Sequence, residues 1–165
     1  MKTKNRINRI RMAAAAAGVL GLMLAAPSPA ADSIAVPVSA TVVGVCKFST
    51  PQSPSVTIEN NGAGGIDPTI AGNATGNAAI LYKCTSGTSP TFALTGGATL
   101  TLNCGTCGTT PTMNATMSLS APVGPGLGFG AADQSVTLTG TIPDTTYGSA
   151  DVGTYSASQT VTVTP

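Results

Sequence analysis

Beyond residue 31 the apolar side chains recur at every second position. Ile34, Val36, Val38, Ala40 and Val42 alternate with small or polar residues, as do Val56/Ile58, Phe92/Leu94, Leu100/Leu102, Met117/Leu119, Val136/Leu138 and Val161/Val163. A period of two is that of a half-buried β-strand, and the intervening Thr and Ser suit a solvated pleated face. No stretch carries an apolar stripe at helical spacing for more than two turns. Between the runs stand Asn60-Asn61-Gly62, Gly64-Gly65, Gly72-Asn73, Gly96-Gly97, the segment Pro122 to Gly130, and Pro143-Asp144, all of which favour turns. The pattern predicts an all-β antiparallel fold, a sandwich or barrel of short strands. Residues 62–77, rich in Gly, Ala and Asn, read as a loop holding at most one short strand.

One connection can be given a register. A two-residue turn at Gly96-Gly97 would set Leu94 against Thr99 and mix apolar with polar residues on one face. A three-residue loop, Thr95-Gly96-Gly97, sets Leu94 against Ala98 and Phe92 against Leu100. The second keeps one face apolar, so a hairpin with that three-residue loop is expected.

The first thirty residues follow other rules. Lys2, Lys4, Arg6, Arg9 and Arg11 precede an apolar run from Met12 to Ala26 that is short for a bilayer span, and Ser28 and Ala30 supply the small residues of a cleavage site. Residues 1–30 therefore read as a signal peptide, cut after Ala30, and 31–165 as the exported part, of a size for one domain. Removing the leader reverses the charge. Only Lys47 and Lys83 remain against Asp32, Glu59, Asp67, Asp133, Asp144 and Asp151, a net of −4 where the whole chain has +1. Two cations cannot drive counterion release from nucleic acid or anionic lipid, so no nucleic-acid partner is expected. A surface so sparsely charged is also poorly defended against edge-to-edge association.

The chain has no His and no Trp. The common general base, the Ser and Cys triads and most zinc sites are thereby missing, and the carboxylates are scattered singly; the inventory points away from an enzyme and from any cofactor or small-molecule substrate. All four cysteines, Cys46, Cys84, Cys104 and Cys107, lie in the exported part, where two disulfides are the expected state. Cys104-Gly-Thr-Cys107 lacks the helix N-terminus that a thioredoxin-like site needs and reads as a small staple at a strand turn. A bond between Cys46 and Cys84 would restrict the unfolded chain by roughly 3–4 kcal/mol.

Several of these residues resemble the spore coat protein U domain, shared with subunits of archaic chaperone-usher pili. Residues 31–46 match its opening segment of alternating apolar residues ending in a cysteine. Ile80-Leu-Tyr-Lys-Cys84-Thr-Ser-Gly87 and Phe92-Ala-Leu-Thr-Gly96-Gly97 match its second cysteine strand and the strand that follows, and Gly140-Thr-Ile142-Pro143, Gly153-Thr-Tyr155 and Val161-Thr-Val163 match its closing motifs. The Cys104/Cys107 pair is an addition to that pattern, and the Phe-Gly pair usual after the first cysteine is missing. The resemblance implies an immunoglobulin-like sandwich lacking its last strand, with 31–44 as a donor-strand segment and 45–165 as the pilin-like domain. It implies a structural fibre subunit, exported to the periplasm and then the cell surface, whose partners are other subunits, a periplasmic chaperone and an outer-membrane usher, with adhesion or biofilm formation as the outcome. The donor residues would be Ile34, Val36, Val38, Ala40 and Val42. Two other readings stay open: that 33–43 is the domain's own first strand, and that the chain is a coat or matrix protein of the same fold that does not polymerise.

Overall fold

The computed structural model describes residues 32–165; the leader and its cleavage site at 1–30 lie outside these residues. The chain divides into two units, Met1–Ser39 and Ala40–Pro165. The described part of the first, residues 32–39, is exposed and belongs to no strand or helix.

The second unit is all-β and antiparallel. Its strands are β1 (Cys46–Phe48), β2 (Ala74–Cys84), β3 (Thr91–Thr95), β4 (Thr99–Asn103), β5 (Thr112–Leu119), β6 (Gln134–Ile142) and β7 (Thr160–Thr164), with one helical turn, α1 (Asp144–Tyr147), before the last strand. They form a five-stranded sheet in the order β1-β2-β6-β5-β4 and a two-stranded sheet of β3 and β7. Alternation decides which side chains are buried: Met113, Ala115 and Met117 from β5, Val136, Leu138 and Ile142 from β6, and Ile80, Tyr82 and Cys84 from β2 point inward. Phe92, Leu94 and Val161 from the small sheet pack against the same core. The Tyr82 and Phe92 rings meet edge to face with centroids 4.8 Å apart, a favoured aromatic geometry. The Tyr82 hydroxyl is buried without a hydrogen-bond partner among the described residues. Desolvation pushes its pKa above the ordinary phenol value.

Four expectations need correction. The Phe92/Leu94 and Leu100/Leu102 runs are strands, but not a hairpin: β3 pairs with β7, placing Leu94 opposite Val161 and Phe92 opposite Val163, while β4 pairs with β5. Gly96 and Gly97, at φ +90° and +92°, carry the chain from one sheet to the other. The alternation was sufficient to orient each strand and silent on its partner. Val56 and Ile58 pack on the core without a strand, and the adjoining Glu59 forms an isolated bridge to Thr75 of β2. The expected loop at 62–77 ends early, since β2 begins at Ala74. Last, the run from Ile34 to Val42 forms no strand of its own domain.

The early start of β2 has a steric cause. Gly76 lies opposite Gly140 in the β2–β6 ladder. A Cβ on Gly76 would overlap the Thr57 carbonyl, and one on Gly140 would come within 2.9 Å of Ile58 Cδ1. The paired glycines form a flat rung over which residues 57–59 cross, so small residues mark a strand here because another backbone lies on it.

Candidate functional site

Two sheet edges and two disulfides organise the regions where function could reside. β1 ends the five-stranded sheet, and β7 has β3 on one side only, so each leaves a row of backbone groups without a partner strand. The two edges come together at one end, where a Cβ on Gly44 would stand 3.6 Å from Pro165 Cβ. At the other end they part around an open cleft of about 350 Å³ lined by Phe48 of β1, Gln52 and Pro54 beyond it, Ile80 of β2, and Gln159 and Val161 at β7. The floor is the apolar core itself, reached between two unpaired edges. Gln52 partly closes one wall by holding the Leu81 backbone in both directions: its Nε2 donates to Leu81 O at 3.0 Å and its Oε1 accepts from Leu81 N at 2.9 Å.

Of the candidate donor residues, Ile34, Val36, Val38 and Val42 are 72–92% exposed, and Ala40 is exposed as well. Five alternating residues with exposed apolar side chains and no strand assignment are not accounted for by packing among the described residues.

The cysteines are joined as Cys46–Cys84 and Cys104–Cys107, leaving none free. Cys46 and Cys84 face each other in the β1–β2 ladder, so the first bond fastens a three-residue edge strand to its neighbour. The second staples the connection between β4 and β5. Cys104 directly follows a strand, with no helix N-terminus to lower a thiol pKa.

The stapled connection is held from outside by the segment 149–156, which sequence reading missed. Asp151 Oδ2 accepts the Thr109 and Thr110 amides at 2.6 and 2.8 Å, and its Oδ1 accepts the Thr109 hydroxyl at 2.8 Å. The Tyr155 hydroxyl donates to Thr110 O at 2.8 Å. A Cβ on Gly153 would sit 2.5 and 2.6 Å from the Cys107 and Cys104 sulfurs, so only glycine lets this segment lie on the disulfide. Hydrogen bonds from the Thr110 amide and then from Thr109 lower the Asp151 pKa below its ordinary 3.8. The sign follows: a depressed folded pKa gives a stabilisation present above pH 3.8 and lost as pH falls through the lower folded value. In an NMR titration the Thr109 and Thr110 amide signals should move with a midpoint below that of an unpaired aspartate, and Asp151→Asn should abolish the transition.

Sequence reading also missed that the two lysines of residues 31–165 are neighbours. Lys47 lies opposite Lys83. The signal was present: once Cys46 and Cys84 are bonded across an antiparallel pair, the residue after the first and the residue before the second must face each other.

No protein-family model, curated protein or solved structure matches this chain.

Proposed function

We propose that this protein is a structural subunit of a secreted surface fibre, an immunoglobulin-like sandwich lacking its last strand, joined to its neighbours by donor-strand complementation. The observation that carries this reading is the vacant place beside β7, opening on an apolar cleft, together with an exposed alternating segment at 34–42.

The strand order supports it. In an immunoglobulin sandwich one sheet runs A-B-E-D and the other C-F-G. On this reading β1-β2-β6-β5 take the first order with β4 added beyond, β3-β7 take the places of C and F, and no strand among the described residues takes that of G. A strand added at the free β7 edge would satisfy backbone groups there and lay every second side chain into the cleft, the mode of β-augmentation. Pro37 has the opposite parity from the apolar set and removes one donor, which an added strand with one open edge tolerates. Burying Ile34 and the three Val side chains would contribute roughly 6–12 kcal/mol as an upper value, before the cost of ordering the segment. On this reading the chain is exported, its groove is covered first by a periplasmic chaperone, and an outer-membrane usher passes it to the next subunit.

Parity provides the test. With chaperone and usher co-expressed, Val36→Asp and Val38→Asp should each abolish heat-sensitive, detergent-resistant polymers on gels while leaving chaperone binding intact. Ser39→Asp, on the other face, should polymerise within about twofold of the parent, since a solvated side chain contributes little. Normal fibres from Val38→Asp would refute the reading, as would a stable monomer whose residues 34–42 resist amide exchange.

A further inference from the structure

We propose that the outer face of the β1–β2 ladder is a binding site for an acidic saccharide, a pyranose bearing a carboxylate, gripped by Lys47 and Lys83 and stacked on Phe129. The inference stands on a different cavity from the assembly cleft and does not depend on the fibre reading.

Register puts the charges there. Cys46 and Phe48 pair with Cys84 and Tyr82, whose side chains are buried, so Lys47 and Lys83 between them project to the opposite face from the same rung. Like charges directly opposite in a ladder are destabilising. In residues 31–165 these are the only two cations against six acids, so no shortage of alternative positions forces them together. Asp133 offsets part of that repulsion at Lys83, and a bound anion reaching Lys47 would offset the rest.

The surroundings form a pocket. Both lysines open on a cavity of about 320 Å³ whose walls include Ser49, Phe129 and Asp133, at the lower end of ligand-site sizes of roughly 300–1,000 Å³. Asp133 is already committed: its Oδ1 accepts the Ser49 hydroxyl at 2.5 Å and stands 3.7 Å from Lys83 Nζ. Lys47 has no ion pair among the described residues, so the pocket keeps a net positive charge within residues 31–165, whose other charged side chains are all acidic.

Phe129 fixes the ligand class. Its loop is tied down by Gly128 N–H donating to Cys84 O at 2.9 Å and Gly126 N–H to Thr88 O at 2.7 Å, and a side chain at Gly126 would run into Cys84 and Thr85. Lys83 Nζ reaches Phe129 O at 3.4 Å. The ring is thus held beside the lysines, yet it is 46% exposed. An exposed aromatic side chain lining the same cavity as two lysines, a serine hydroxyl and a carboxylate matches the CH face, carboxylate and hydroxyls of a uronic acid. A simple inorganic anion would have no use for the ring.

The test uses the full exported chain, titrated by NMR with trigalacturonate, with neutral maltotriose and with tri-aspartate. Trigalacturonate should shift the Lys47, Lys83 and Phe129 signals, maltotriose should bind far more weakly, and tri-aspartate should leave Phe129 unmoved. Lys47→Gln should weaken trigalacturonate by about tenfold or more, the scale of a lost charged hydrogen bond, with a melting temperature no lower than the parent's, because the side chain is exposed and the substitution removes a like-charge pair. Phe129→Leu should weaken it several-fold at the same charge. No shift with trigalacturonate, or undiminished binding by Lys47→Gln, would overturn the site; equal binding of tri-aspartate would overturn the saccharide assignment.

Discussion

Gly76→Ala should destabilise this domain by about 3 kcal/mol or more, a large share of the roughly 5–15 kcal/mol that separates folded from unfolded chains. The methyl group would overlap the carbonyl of Thr57, and backbone cannot swing aside as a side-chain terminus can. Relief requires residues 57–59 to lift off β2, which would break the Glu59 N–H to Thr75 O bond of 3.1 Å and its 2.9 Å reciprocal. Val56 and Ile58, packed against the core, would be withdrawn with them. Gly140→Ala is the matched control. There the nearest obstacles are Ile58 Cδ1 at 2.9 Å and the Met117 sulfur at 3.3 Å, both at the ends of adaptable side chains, so a cost of about 1–2 kcal/mol is expected. Denaturant unfolding of the two variants should show this order, with Gly76→Ala having much the lower midpoint. A midpoint for Gly76→Ala equal to that of the parent would mean that the 57–59 crossing is not part of the folded domain.

The second large effect concerns the disulfides, which should not be equivalent. Closing the 38-residue separation between Cys46 and Cys84 restricts the unfolded chain by roughly 3–4 kcal/mol, whereas the separation of three between Cys104 and Cys107 restricts it by only about 2 kcal/mol on the same entropy model. The double variant Cys46→Ala/Cys84→Ala should therefore lose more stability than Cys104→Ala/Cys107→Ala. It should also lose function first. β1 has three residues and neighbours only β2 in its sheet, so without the bond it will fray, and it forms one wall of the cleft. On the fibre reading, loss of Cys46–Cys84 should abolish polymerisation, while loss of Cys104–Cys107, on the β4–β5 connection, should leave it largely intact. Equal losses of stability in the two variants would mean that loop closure does not govern these bonds.

Particular residues show where legibility stopped. Val136/Leu138, Met117/Leu119 and Val161/Val163 are strands with the inward faces that their alternation predicts. The same alternation at Val56/Ile58 produced packing without a ladder, and at 34–42 an exposed segment. Period two records only that one face seeks apolar surroundings; whether those lie in the same chain is a question about partners. The Leu94 register failed for that reason. Nearness along the chain suggested β4, and the small sheet offered Val161 instead. In the candidate sites, the Lys47–Lys83 rung was deducible from the cysteines, whereas the position of Phe129 depends on a loop 46 residues beyond Lys83.

The order of residues by itself determined the strand period, the faces that turn inward, the two-disulfide chemistry and the charge imbalance, because each depends on side chains within a few positions or on a simple count. Tertiary structure alone decided which strands pair, that β1 and β7 stand as unpaired edges around a cleft, that Gly76 and Gly140 carry a crossing segment, and that Asp151 clamps the Cys104–Cys107 loop. Those facts arise from contacts between residues tens of positions apart. Their free energy depends on how all the strands close around one core, and no local pattern encodes that.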